Sequence, residues 1–110
     1  MSGTSETPLS EAMNRLWAKY LPQMEERVAM LRNAAESLAN GSLDPTEQQK
    51  AANDAHKLAG VLGTFGLKEG TDLAREAESL YERTLVEIRP LSARLAAIAA
   101  ELQEMITSRK

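Results

Sequence analysis

The chain has 110 residues, which is the size of one ordinary domain and too short for two. It contains no cysteine, which excludes disulfides and thiolate metal sites. Its formal net charge is −3, and acidic and basic residues are interspersed along the chain, so it lacks the basic stripe that nucleic-acid binding requires. Because it has no signal peptide and no apolar run of about 20 residues, we expect a soluble, cytoplasmic protein with no membrane contact.

The composition is rich in Ala, Leu, Glu and Arg and poor in β-branched and aromatic residues, which predicts an all-α fold. Residues 1–8 are mostly small and polar, so we expect a disordered tail followed by one helical domain over residues 9–110. Apolar residues recur at helical spacing over residues 9–20 and again over residues 24–38. Because Pro22 lies between these runs and lacks a backbone N–H, it predicts two helices or one kinked helix.

The next helix has a clearly marked start, because Asp44 is a candidate N-cap and Glu47, three residues later, completes a capping box. This helix is predicted over about residues 45–63, a further one over about residues 68–83, and the last one from around Pro90 onward. Because the connections between these helices are short, we expect consecutive helices to pack as antiparallel neighbours. The predicted fold is therefore an up-down antiparallel four-helix bundle with a short additional N-terminal helix.

The only histidine, His56, lies about a right angle away from the apolar side of its helix. The residues around it on the same side, which we call the histidine strip, are Gln49, Ala52, Gly60 and Gly63, with Ala59 at the edge. Each glycine inside a helix costs about 1 kcal/mol relative to alanine. Three explanations are open: another helix or Phe65 packs closely on the glycines, the helix ends at Gly63 or Gly66, or the strip leaves room for another protein. The position of the histidine favours the third explanation.

A single imidazole limits the chemistry of the strip. No carboxylate stands four residues before or after His56, no nucleophile signature accompanies it, and the glycine-rich segment lacks the ending of a phosphate-binding loop. An exposed histidine can itself be a nucleophile, because near neutral pH the ring is largely uncharged and one nitrogen has a free lone pair that can accept a phosphoryl group. Lys57, Asn53 and Lys50 flank the strip and are candidates for supporting phosphate electrostatics.

The pattern His56-x-Leu58-x-Gly60, followed by Gly-Thr-Phe-Gly-Leu at residues 63–67, resembles the histidine phosphotransfer (Hpt) domain of multistep phosphorelays. The resemblance extends from about residue 9 to residue 105. It implies that His56 accepts a phosphoryl group from the aspartate of a response-regulator receiver domain or from a histidine kinase, and passes it to another receiver.

The resemblance also implies roles for the residues around the histidine. The histidine strip would serve receiver docking and clearance, with Gly60 leaving room for the receiver, whereas Phe65 and Gly66 would shape the turn that closes the bundle. The receiver would supply Mg²⁺, so no cofactor or metal is expected in this chain. Many members carry a lysine three residues after the histidine, where this chain has Ala59. Lys57 points about 160° away from that position, so we hypothesise only a supporting role for it.

The sequence therefore predicts a phosphocarrier module without a nucleotide site of its own, and not an enzyme. A non-phosphorylated helical adaptor or dimerisation module is the alternative, because the long apolar stripe of the first helices could also pack against another chain. We expect a monomer whose partners are receiver domains or histidine kinases, and no nucleic acid.

Overall fold

The computed structural model describes residues 8–83 and 88–108. These ranges form four helices and no strand: α1 spans Pro8–Ala39, α2 Pro45–Thr64, α3 Lys68–Glu82 and α4 Ile88–Ser108. Each helix packs against two others, in the order α1–α2–α3–α4 and back to α1. The prediction of an all-α four-helix bundle is confirmed. None of the described helices is long and apolar enough to cross a membrane.

Contacts between named side chains show that consecutive helices run antiparallel. Arg27 of α1 pairs with Asp54 of α2, whereas the earlier residue Trp17 packs on Phe65, just beyond the end of α2. In α3, Thr71 and Tyr81 follow the same rule against α2. The hydroxyl of Thr71 lies 3.5 Å from the carbonyl oxygen of Ala59, and the carbonyl oxygen of Tyr81 accepts a hydrogen bond from the side-chain amide of the earlier residue Gln48. Residues near the start of one helix therefore lie beside residues near the end of the next.

Of the two alternatives predicted at Pro22, the one with two separate helices is wrong, because the proline lies inside the single helix α1. The predicted short N-terminal helix is the first part of α1. The buried side chains of Trp17, Met24 and Val28 share one apolar side before and after the proline, and their packing holds the segment helical. This packing outweighs the loss of one backbone hydrogen bond at the exposed proline, which costs about 3 kcal/mol. Of the predicted tail, Pro8 begins α1, and residues 1–7 lie outside the described residues.

The start of α2 is the predicted capping box. The backbone N–H of Glu47 donates to Oδ1 of Asp44 at 2.7 Å, and the N–H of Asp44 donates to Oε1 of Glu47 at 3.2 Å. At the other end, the N–H groups of Gly66 and Leu67 donate to the carbonyl oxygens of Gly63 and Leu62, both at 3.0 Å. Gly66 has a φ of +72°, the left-handed conformation that glycine adopts most readily after a helix.

Apolar side chains from all four helices form one core, and a few polar contacts tie the helices together around it. The buried hydroxyl of Tyr81 donates to the carbonyl oxygen of Leu31 at 3.4 Å, and burial raises the pKa of this tyrosine. Arg94 of α4 binds both carboxylate oxygens of Glu76 of α3, at 2.6 and 2.7 Å, and these hydrogen bonds lower the pKa of Glu76. The largest fully buried side chains are Tyr81, Met24, Leu31, Leu58, Leu62, Leu95, Ile98, Leu102, Ile106 and Val28.

Gln48 fixes the end of α3 against α2, because its Nε2 donates to the carbonyl oxygens of Tyr81 at 2.6 Å and Arg83 at 3.3 Å. Gln48→Ala removes this contact to the last turn of α3 and should lower the free energy of unfolding by about 1 kcal/mol, measured by urea denaturation. Gln49→Ala is the matched control, because the amide of Gln49 reaches only the exposed Asn53. Equal effects of the two substitutions would contradict the assignment.

Candidate functional site

His56 lies in the middle of α2, where its side chain is 74% exposed and contacts α3 through one ring nitrogen. Its Nδ1 is 2.9 Å from Oε2 of Glu78, a carboxylate that is only 22% exposed. Because an ionised carboxylate accepts hydrogen bonds and does not donate them, this contact places the ring proton on Nδ1. The neutral ring then carries its free lone pair on Nε2.

Contacts on both sides of Glu78 hold α3 in this position. Toward the start of α3, the hydroxyl of Thr71 lies 3.5 Å from the carbonyl oxygen of Ala59 and donates to that of Leu67 at 3.1 Å. Toward its end, Gln48 donates to Tyr81. Glu78 is therefore a fixed partner of the histidine, although it is not among the site residues predicted from the sequence. The only available signal was its spacing of seven residues from Thr71, which puts both residues on one edge of α3.

The environments of the glycines decide among the three explanations for them. A Cβ atom on Gly60 would have no neighbour within 4 Å, and one on Gly63 would meet only Oγ1 of Thr71, at an ordinary contact distance of 3.6 Å. Close packing therefore requires glycine at neither position. Termination of α2 accounts for Gly66 but not for the other two, because both lie inside the helix. Open space above the exposed surface of α2 remains the explanation for Gly60.

Two alanines of the histidine strip are buried, which corrects the expectation that the whole strip is available for docking. Ala52 is 2% exposed and Ala59 is 5% exposed, whereas Gln49, Gly60 and Gly63 lie at the surface. The buried part of α2 is wider than its apolar residues indicate, because both α1 and α3 pack against this helix. On the side that faces α3, the hydroxyl of Thr71 contacts the carbonyl oxygen of Ala59.

The sequence also matches a known protein family. The family model described as Hpt domain matches residues 15–108, which is most of the chain. The chain belongs to the Hpt domain family. Hpt domains are histidine phosphotransfer modules of phosphorelays, which carry phosphoryl groups and interact with receiver domains and histidine kinases.

A curated relative of this Hpt domain is Protein RcaC of Microchaete diplosiphon, which is 36% identical over 66 residues. The aligned region covers 60% of this chain and 10% of that protein, so the Hpt domain spans about a tenth of the length of the relative. No solved structure matches the chain.

The polar residues predicted beside the histidine are all exposed in the Hpt domain. Asn53 accepts a hydrogen bond from Gln49 at 3.2 Å, and neither Lys50 nor Lys57 forms an ion pair with any residue in the described ranges. Lys57 borders an open groove between α1 and α2, on the side of the helix away from Glu78. The other residues that line this groove are Tyr20, Gln23, Arg27, Gly60, Val61, Thr64 and Phe65.

Phe65 closes the end of this groove and packs edge-on against two aromatic rings of α1. Its ring centroid lies 5.1 Å from that of Trp17 and 6.5 Å from that of Tyr20. Phe65 directly precedes Gly66, so the turn after α2 and the aromatic contact with α1 form one unit. In the described residues of this Hpt domain, no group of three or more His, Cys, Asp or Glu side chains could hold a metal ion.

The open space at Gly60 has a measurable consequence for stability. Gly60→Ala should raise the free energy of unfolding by about 0.5–1 kcal/mol, because alanine favours the helix and its Cβ meets no neighbour within 4 Å. Gly66→Ala should lower it by about 1–2 kcal/mol, because the φ of +72° is strained for alanine. Urea denaturation of both variants measures the difference, and a destabilising Gly60→Ala would contradict the open space.

Proposed function

We propose that His56 is the phosphoryl acceptor of this Hpt domain, and that it exchanges the group with the aspartate of response-regulator receiver domains. The observation that carries this proposal is the hydrogen bond from Nδ1 to Glu78, which leaves Nε2 of an exposed ring as the nucleophile. The glycine one turn further along α2, Gly60, presents no side chain that would obstruct a partner.

In the proposed transfer, the lone pair of Nε2 attacks the phosphorus of an aspartyl phosphate. The Nε2–P bond forms while the P–O bond to the aspartate breaks, and the electron pair leaves with the aspartate carboxylate. The ring keeps its proton on Nδ1 and gains a positive charge as the bond forms. The carboxylate of Glu78, 2.9 Å from Nδ1, stabilises that charge in the transition state. The same contacts serve the reverse step, so the direction of transfer depends on the partners.

The partner supplies what the chain lacks in this proposal. The receiver brings its acidic pocket and Mg²⁺, and the Hpt domain needs no cofactor or metal of its own for the step. The exposed part of the histidine strip, Gln49, Gly60 and Gly63, lies at the surface where the receiver would dock. Lys57, which forms no ion pair with the described residues, gives the adjacent groove positive charge, which complements an acidic partner.

The acceptor is tested by incubating the purified chain with a phosphorylated receiver and measuring its intact mass. We expect a gain of one phosphate that is labile in acid and stable in alkali, and no gain for His56→Ala. The variant should remain folded by circular dichroism, because the side chain that it removes is largely exposed. The adaptor alternative instead predicts that the chain gains no phosphate with any donor and that His56→Ala binds its partner as the wild type does.

The role of Glu78 is tested by two substitutions. Glu78→Ala removes both the hydrogen bond to Nδ1 and the negative charge, and should slow phosphoryl transfer by about 10- to 100-fold, which corresponds to the loss of one hydrogen bond to a charged group in the transition state. Glu78→Gln retains an acceptor oxygen but not the charge, so we expect an intermediate rate.

The ¹⁵N chemical shifts of the His56 ring provide a second readout for these variants. The wild type should show the proton on Nδ1, and Glu78→Ala should redistribute it between the two nitrogens. The matched control is Glu82→Gln, an exposed carboxylate one turn further along α3. Wild-type rates for Glu78→Ala, or an equal loss for Glu82→Gln, would refute the assignment.

A further inference from the structure

A phosphoryl group on His56 requires positive charge close to its oxygens, and the usual source is missing from this chain. The residue three positions after the histidine, where many family members carry lysine, is Ala59, and it is 5% exposed. Lys57 and Lys50 lie about 100° and 120° around α2 from His56, on the side away from α3. The imidazole contacts Glu78 on the opposite side. A cation on α3 is therefore better placed than the lysines of α2.

Arg75 occupies that place on α3. It lies four residues after Thr71 and three before Glu78, so the three side chains project from one edge of the helix within about 60° of each other. Both of its neighbours on this edge contact α2: Glu78 reaches His56, and Thr71 reaches the carbonyl oxygen of Ala59. The backbone of Arg75 is thus beside the turn of α2 that follows the histidine, about 4.5 Å along the helix axis from Glu78.

The side chain of Arg75 is available to a ligand. It is exposed and forms no ion pair within residues 8–83 and 88–108, whereas Arg27 and Arg94 bind carboxylates at 2.6–2.8 Å. Glu78 stands at pairing distance in sequence, but its carboxylate contacts His56 instead. On the neighbouring turn of α2, Ala59 carries only a methyl group, and a Cβ atom at Gly60 would meet no neighbour within 4 Å.

We propose that the guanidinium of Arg75 binds the phosphoryl group carried on Nε2 of His56 and supplies the charge that the family lysine supplies elsewhere. This inference rests on the proposed function. The planar guanidinium presents paired N–H donors that match two phosphate oxygens, so it holds the group in one orientation while the Nε2–P bond forms or breaks. Arg75 and Glu78 then act on opposite charges of the same intermediate: the first on the phosphate and the second on the ring.

The test uses the full chain and phosphoramidate as a small phosphodonor, so that no docking surface of a receiver contributes. The initial rate of phosphohistidine formation and the ³¹P chemical shift of the product are measured for the wild type, Arg75→Ala and Arg75→Lys. We expect Arg75→Ala to be at least about tenfold slower, because it removes the charge-assisted hydrogen bonds to the phosphate, with a displaced ³¹P resonance. Arg75→Lys should recover most of the rate, because it restores the charge but not the paired donors.

One variant serves as a control with the same change of net charge. Arg15→Ala removes an exposed arginine of α1 that lies beyond Trp17. It should retain the wild-type rate within about twofold, because Arg15 lies on a different helix from both His56 and Glu78. Lys57→Ala removes the cation on the far side of α2 and measures the competing source of positive charge. A wild-type rate and resonance for Arg75→Ala, or a larger loss for Lys57→Ala, would overturn the proposal while His56 remains the acceptor. A wild-type chain that gains no phosphate on His56 would overturn the proposed function and this inference together.

Discussion

The packing of α3 against α2 is the constraint on which the candidate site depends. Ala52 and Ala59 present only methyl groups on the covered side of α2, which lets the backbone of α3 approach closely. Gln48 and Thr71 fix the two ends of this contact by hydrogen bonds to backbone carbonyl groups. Because a helix turns about 100° per residue, a shift of one residue in this register would carry the carboxylate of Glu78 away from the imidazole.

The parts of the fold that depend on local chemistry could be predicted from the sequence. The capping box at Asp44 and the apolar spacing that follows it define α2 almost to the residue, because a cap and a helical period involve only neighbours in the chain. The exposure of His56 also follows from the helical-wheel positions of the residues of α2 alone. The prediction of a separate N-terminal helix was wrong. The lost backbone hydrogen bond at Pro22 is visible in the local sequence, whereas the burial of Trp17 and Met24 that offsets its free-energy cost depends on tertiary packing.

The immediate surroundings of the histidine could not be predicted in the same way. Whether Ala52 and Ala59 are buried depends on the neighbouring helices, and nothing in residues 45–64 shows how far α3 extends over them. In the sequence, Glu78 is one of many charged residues on an amphipathic helix. Only the packing of α3 against α2 shows that it lies opposite His56. Contacts between residues 22 positions apart require the packing of whole helices, and a periodicity within one helix does not contain that information.

The ion pair between Arg27 and Asp54 limits where the groove beside the histidine can change. Its two atoms lie 2.8 Å apart and both side chains are largely buried, so replacing either residue alone would leave a charge without its partner inside the bundle. Gln23, Lys57 and Thr64 line the same groove but are exposed. With the proposed docking of a receiver beside the histidine, substitutions at these three positions would change the discrimination between receivers without disturbing the buried Arg27–Asp54 pair of the scaffold.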